Sequence, residues 1–273
     1  MQMASDSSLY HVGEKVAESK QYRLYLCSQD QTNRECLLQI ATTIEQNGDL
    51  DRAAFILKEL KRRADELEAE YARVKTDPKD TLNYDLGFPE LVDGFICPDQ
   101  GGRRVNILAF RNVEKVSKMV PLINVTAKDG LRVDLRTSAW IMGKLLKLLV
   151  FVHSEGISTG MMSSGNILIE PDQHYVLIFD WSAAQTQADV PKETQRREIS
   201  QAAQAVIVVL GGNLETETIP DDGDEGYGRY ADFLLQLARQ GASDAARAHA
   251  EFYQLIDELW PRGFYKFTVK PLI

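Results

Sequence analysis

Between residues 53 and 74 apolar side chains recur at alternating steps of four and three: Ala53, Leu57, Leu60, Ala64, Leu67, Tyr71 and Val74. That spacing puts all seven on one helical face. It predicts a single helix from Asp49 to Lys75, roughly 40 Å long at 1.5 Å per residue. The chain on either side has a different period. "YRLYLCSQD" and "RECLLQIA", joined by the turn "QTN", are runs of strand length, and "FPELVDGFICPDQGGRRVNILAF" supplies two more strands around Gly101 and Gly102. A passage without periodicity, "RNVEKVSKMVPLINVTAKDG", reads as loop. Beyond it the pattern is mostly helical. "DLRTSAWIMGKLLKLLVFVHSEGI" places Trp140, Leu145, Leu148, Leu149 and Val152 on one face and stops at Gly156. "REISQAAQAVIVVLGG" is apolar enough to be buried all round, and "RYADFLLQLARQG" and "SDAARAHAEFYQLIDELW" close the chain as two further helices. One helix set among strands, followed by a run of helices, is an α+β order. It divides into a strand-rich part, residues 1–112, and a larger helical part, 113–273.

Composition narrows the function classes. The 273 residues carry 31 Lys and Arg against 40 Asp and Glu, a net charge of −9. Phosphate-backbone binding needs clustered Lys and Arg, so no nucleic-acid partner is expected. Cys27, Cys36 and Cys97 lack a C-x-x-C spacing and are odd in number, which fits buried thiols better than disulfides or zinc. No apolar run approaches the ~18 residues of a membrane span, and the N-terminal "MQMASDSSLYHVGEKV" has no signal-peptide core. A cytoplasmic location without a membrane partner is the expectation.

The chemistry concentrates in "STGMMSSGNILIEPDQHYVLIFDWS", Ser158 to Ser182. Two short apolar runs flank the turn "EPDQ", with Asn166 before the first and Asp180 after the second. A hairpin would carry these two polar residues to the same end. Two readings stand for the pair: they hold a metal ion, or Asn166 orders its loop and Asp180 caps locally.

The helix end "FVHSEGI", the "GN" before "ILI" and the strand end "IFDW" together resemble the protein kinase-like fold. The kinase motifs H-R-D-x-x-x-x-N and D-F-G map onto "TGMMSSGN" and "DWS". The Gly-Asn and Asp-Trp pairs look like those of aminoglycoside phosphotransferase-type kinases, and the tail "FYQLIDELWPRGFYKFTVKP" is similar to that of divergent bacterial kinase-like proteins. The resemblance implies a bilobal fold with a small strand-rich N-lobe and a larger, mostly helical C-lobe. It also implies that Asn166 and Asp180 stand where the family keeps its Mg²⁺ ligands.

Other positions depart from the family. The catalytic aspartate should fall five residues before Asn166, and that residue is Met161, which cannot accept a proton. Gln39 in "ECLLQIA" stands where the resemblance places the phosphate-clamping lysine. The helix that follows offers Ala53 and Ala54, with Glu59 as the nearest carboxylate, in place of that lysine's partner. "VGEKVAESKQYRLYL" has only Gly13, too little for a loop whose backbone must approach phosphates. Seventeen residues separate Asp180 from Glu198, read as the start of the next helix, which is short for a peptide-docking segment.

These departures imply a catalytically degenerate kinase-like protein, a pseudokinase that works as a binding, scaffolding or regulatory module. Gln39, Asn166 and Asp180 would form a vestigial nucleotide site. No cofactor is expected beyond weak ATP and magnesium occupancy. The alternative is an atypical Mg-dependent phosphotransferase using Asn166 and Asp180. A protein partner is expected at the far half of the long helix, through Leu67, Tyr71 and Val74, because a helix of that length overhangs a small sheet. The oligomeric state is not fixed by these patterns.

Overall fold

In the computed structural model the described residues are 2–5, 8–30, 32–77, 81–261 and 263–272. Gln31 of the turn "QTN" lies outside them. The chain forms two compact units. One is Met1–Met119 together with Asp180–Ala184, and the other is Val120–Phe179 together with Gln185–Ile273. Position 112 thus falls inside the first unit.

The first unit is built on strands β1 (Gln2–Ala4), β2 (Leu9–Glu18), β3 (Tyr22–Gln29), β4 (Glu35–Ala41), β5 (Glu90–Cys97) and β6 (Arg103–Ala109), with helix α1 (Asn47–Val74) between β4 and β5. The strands make one antiparallel sheet in the order β1-β2-β3-β4-β6-β5. Because side chains alternate across a sheet, Cys36, Leu38 and Ile40 join Val105, Ile107 and Ala109 in a core on one face. Leu37, Gln39 and Ala41 take the opposite face. Cys27 and Cys36 are cross-strand neighbours, and all three cysteines are buried and free. Burial pushes the Cys27 thiol up to about 12, so it is inert as a thiolate.

Helix α1 lies on the second face, and Leu50, Ala53, Ala54, Ile56, Leu57, Leu60 and Ala64 are its buried side chains. Its first turn is tied to the sheet: Asn47 Nδ2 donates to the Gly102 carbonyl at 2.9 Å, and Asn47 Oδ1 accepts the Arg104 N–H at 2.7 Å. Asn106 Nδ2 donates to the Leu50 carbonyl at 2.9 Å. The buried stripe stops at Ala64. Leu67 and Tyr71 are partly exposed and Val74 is 74% exposed.

The second unit contains β7 (Val120–Pro121), α2 (Leu122–Ala127), β8 (Leu131–Val133), α3 (Leu135–Ser154), β9 (Ile157–Ser158), β10 (Ile167–Glu170), β11 (Tyr175–Ile178), β12 (Gln185–Thr186), α4 (Lys192–Val209), α5 (Tyr227–Gln240), α6 (Ala245–Leu259) and β13 (Val269–Pro271). α3 is its central element. Asp134 caps the helix by accepting the Thr137 N–H at 2.8 Å. Fourteen of its twenty residues are buried, so it is packed from nearly every side.

Two expectations are corrected here. The passage read as loop contains β7, α2 and the approach to β8; β7 exists because Val120 and Pro121 pair with Ile169 and Leu168 of β10, a tertiary cause that leaves no local period. Glu198 does not open a helix either. α4 starts at Lys192 after Pro191, its first turns are exposed, and Glu198 lies deep in its interior. Among the described residues no helix is long and apolar enough to cross a membrane.

Candidate functional site

In the second unit the site is a loop, Thr159 to Asn166, strung between α3 and β10. Its entry is held from beneath. Glu198, fully buried on α4, takes two hydrogen bonds, one between Oε2 and His153 Nε2 at 2.8 Å and one from the Gly160 N–H to Oε1 at 2.9 Å. His153 is itself buried near the end of α3. One carboxylate therefore joins two helices and the start of the loop.

Further along, Met162 is buried, 1% exposed, and its N–H reaches Gln201 Oε1 at 3.4 Å. Met161 is 43% exposed. The two adjacent methionines therefore do different things: Met162 anchors the loop in the core and Met161 stands out of it.

Asn166 closes the loop. Its N–H donates to the Ser163 carbonyl at 2.9 Å, and its side-chain Nδ2 donates to the Met161 carbonyl at 2.9 Å. The spacing of five residues that defines the motif is thus a physical contact. β10 and β11 then pair from Ile167 opposite Ile178 to Glu170 opposite Tyr175, and the Phe179 N–H extends the ladder to the Asn166 carbonyl at 3.0 Å. Asn166 sits at the open end of this hairpin, as the sequence reading required, and Asp180 is the residue that follows Phe179.

Asp180 belongs to the first unit. Its Oδ1 accepts the Ser182 N–H at 2.9 Å, a local cap of its own turn. Tyr22, the first residue of β3, belongs to the same unit. Tyr22 is 7% exposed. Burial, first, and then the negative charge of Asp180 hold its phenol well above the ordinary tyrosine range, so it remains a donor. Two neighbours fix the same segment. Arg52 Nη1 of α1 donates to the Ser182 carbonyl at 2.7 Å, and the Trp181 ring, 1% exposed, meets Phe88 edge-on at 6.3 Å.

Gln39 lies on the face of the sheet that carries Tyr22. It pairs with Leu24 on one side and Asn106 on the other, and it is 2% exposed. Tyr22, two residues before Leu24, is its diagonal neighbour, and such pairs stand about 7–8 Å apart. Ala53 and Ala54 are buried on α1, and Glu59 is bound on the outer surface by Arg62.

Sequence reasoning missed three residues. Tyr22 was one aromatic in a strand, and nothing local marks its distant partner. His153 stood in the quoted "FVHSEGI", and a glutamate in an otherwise apolar helix was the signal that could have found Glu198.

No family model matches the chain, and no curated protein does. Solved structures do. The BubR1 kinase domain superposes with a TM-score of 0.65 at 10% identity, over 94% of this chain and 83% of that one. Vaccinia related kinase 3 gives 0.59 at 15% identity, over 95% and 90%. The PknI kinase domain of Mycobacterium tuberculosis gives 0.53 at 15% identity, over 92% and 95%. At such identities the likeness is one of architecture, and it agrees with the strand-rich and helical units. The chain has the bilobal protein kinase fold.

Proposed function

We propose that this chain is a pseudokinase, a kinase-like fold used as a binding or regulatory module. The observation that carries this reading is residue 161. Asn166 donates to the Met161 carbonyl, so the residue five positions upstream is physically the one beside the asparagine. Its side chain is an exposed thioether. A thioether has no proton to give and negligible basicity, and the loss of a general base is worth about 10²- to 10⁴-fold in rate. Gln39 supports the same reading, because a buried neutral amide cannot replace the charge of a phosphate-clamping lysine.

Magnesium is the ion that the kinase resemblance implies at Asn166 and Asp180. Asp180 does not fit that task as it stands. Its carboxylate already caps its own turn by accepting the Ser182 N–H, and among the described residues no group of three His, Cys, Asp or Glu side chains that could hold a metal ion is found. Weak nucleotide occupancy at most is expected from such a site.

The test is phosphoryl transfer from radiolabelled ATP. The purified chain with Mg²⁺ or Mn²⁺ should label neither itself nor a generic acceptor above background. Gln39→Lys alone should not change that while Met161 remains. Labelling by the unmodified chain would instead favour the atypical phosphotransferase using Asn166 and Asp180.

A binding module needs a surface, and the far half of α1 supports one. Its buried stripe ends at Ala64, while Leu67 and Tyr71, half-buried, and Val74, exposed, continue the same four-three spacing. That repeat is the seam by which one helix packs on another. Around it, Arg62 pairs with Glu59 and Glu66 on the outer surface. We place a partner helix there, from another protein or a second copy. Leu67→Glu with Tyr71→Glu should leave the melting temperature within about 2 °C of wild type and shift the assembly state seen by light scattering. An unchanged assembly state means the end is merely solvated, and a collapsed melting temperature means it is core.

A further inference from the structure

We propose that an aromatic groove of the second unit, walled by α3, α6 and residues 263–265, binds a proline-rich peptide that carries a basic residue. The inference goes beyond the reading of the Thr159–Asn166 loop and stands whether or not the chain transfers phosphoryl groups.

The groove has a volume of about 650 Å³ and lies within the second unit. α6 and the residue after it supply one wall through Phe252, Tyr253, Ile256 and Trp260, positions that share a helical face. α3 supplies Arg136 and Trp140, one turn apart, and Phe264 and Tyr265 complete the lining. Phe264 is 82% exposed, and Tyr253 and Tyr265 are each 41% exposed. Large rings left open to water in one groove mark a binding surface.

These rings are held in place before any ligand arrives. Phe264 stacks on His174 with centroids 4.5 Å apart, and the His174 ring lies 4.8 Å from that of Trp140. The Tyr265 hydroxyl donates to Asp134 Oδ2 at 3.2 Å, and the Trp260 indole N–H donates to Asp224 Oδ1 at 2.9 Å. The Arg136 guanidinium sits over both of these rings, 5.8 Å from the Trp260 centroid and 5.5 Å from that of Tyr265, and pairs with Asp224 at 3.4 Å. A wall ordered in this way costs little further entropy on binding.

Hydrogen bonding selects the occupant. The Trp140 indole N–H and the Tyr253 hydroxyl, unlike those of Trp260 and Tyr265, have no hydrogen-bond partner among the described residues. A ligand that covers them must bring acceptors. An amphipathic helix spends its carbonyls on its own backbone. An added strand needs a sheet edge, and the groove is bounded by two helices and a segment without strand pairing. A polyproline II chain makes no internal hydrogen bonds, so its carbonyls stay available, and its proline rings dock on aromatic faces.

Length and charge agree with that choice. From Phe252 to Trp260 the helix rises about 12 Å at 1.5 Å per residue. Polyproline II covers that span in about four residues at 3.1 Å each. Arg136 is matched by Asp224, and Asp257 adds a carboxylate to the lining of a chain whose net charge is −9. A basic residue in the peptide complements this field and an acidic one opposes it.

The experiment is fluorescence anisotropy of the full chain with a fluorescein-labelled polyproline peptide flanked by Arg. A Glu-flanked polyproline peptide and an Arg-containing amphipathic helical peptide serve as comparison probes. Wild type should bind the Arg-flanked probe more tightly than either. Phe264→Ala, at an exposed position that folding does not need, should weaken binding at least about fivefold through loss of a ring face. Trp140→Phe keeps a ring, removes the N–H and should weaken binding about three- to tenfold. No binding of the Arg-flanked probe, equal affinity in both variants and wild type, or a helical or Glu-flanked probe that binds as tightly would overturn the proposal. Phosphoryl transfer by the unmodified chain would overturn the pseudokinase reading and leave these affinities unaffected.

Discussion

Glu198→Ala is expected to destabilise the protein by about 3–5 kcal/mol, because two buried hydrogen-bonding groups lose their partner at about 1–3 kcal/mol each and a cavity is left behind. At roughly 2–4 °C per kcal/mol for a chain of this size, the melting temperature should fall by about 10 °C. Three things are lost together. The His153 imidazole loses its hydrogen bond inside the core, the Gly160 N–H loses its acceptor, and a cavity opens within α4. The tautomer argument adds to the cost. His153 Nδ1 is buried with no partner among the described residues, so the neutral ring does best with its proton on Nε2, facing Glu198. Without the carboxylate neither nitrogen is satisfied. Glu198→Gln should cost only about 1–2 kcal/mol, because an amide oxygen can still accept from Gly160 and the ring can change tautomer to accept the amide N–H. Denaturant unfolding of the two variants decides the matter: an alanine variant within about 1 kcal/mol of wild type would show that the loop does not depend on this carboxylate.

The same variant bears on function, since Glu198 holds the first turn of the loop that presents Met161 and Asn166. The sequence shows the ends of this arrangement better than its supports. The stripe from Ala53 to Val74 predicts α1 to within two residues at each end, because seven apolar positions on one face are a strong periodic signal. Gln39 is readable for a related reason: "ECLLQIA" is a run of strand length, and β4 covers those seven residues. β2 is harder. Irregularities in its pairing with β3 between Val12 and Lys15 and between Lys15 and Ala17 break the alternation, and its far half is exposed.

β7 and β9 are two residues long, below the length at which any period exists, and each forms only because a partner strand is already in place. The motif residues Asn166 and Asp180 show where they stand in the chain but not what they touch. Asn166 binds a residue five positions away, which spacing can suggest. The charge of Asp180 acts on Tyr22, and no local pattern connects a tyrosine at the start of one strand with a carboxylate so far along the chain.

The second large effect is expected at Gly156, where α3 turns into β9. Gly156→Ala should cost about 2–4 kcal/mol, from two sources that a control can separate. The residue has φ of +68°, a left-handed conformation that costs an L-residue roughly 1–2 kcal/mol. In addition, a Cβ there would stand 2.2 Å from the Gln187 carbonyl oxygen, and this is backbone that cannot rotate away. Gln187 in turn donates its N–H to the Gly156 carbonyl at 2.8 Å, and it follows the pairing of Gln185 and Thr186 with Ser158 and Ile157. Relieving the overlap must therefore stretch that hydrogen bond or push β12 off β9. Gly130 provides the control. Its φ of +64° is nearly the same, and a Cβ there meets nothing within 4 Å. Gly130→Ala should show the conformational part alone, about 1–2 kcal/mol. Equal losses at the two positions, measured by denaturant unfolding, would mean that the backbone at Gln187 yields freely. A larger loss at Gly156 would locate the extra cost in the close approach of two backbones immediately before the Thr159–Asn166 loop, where a displaced β9 would also carry Met161 and Asn166 out of their mutual contact.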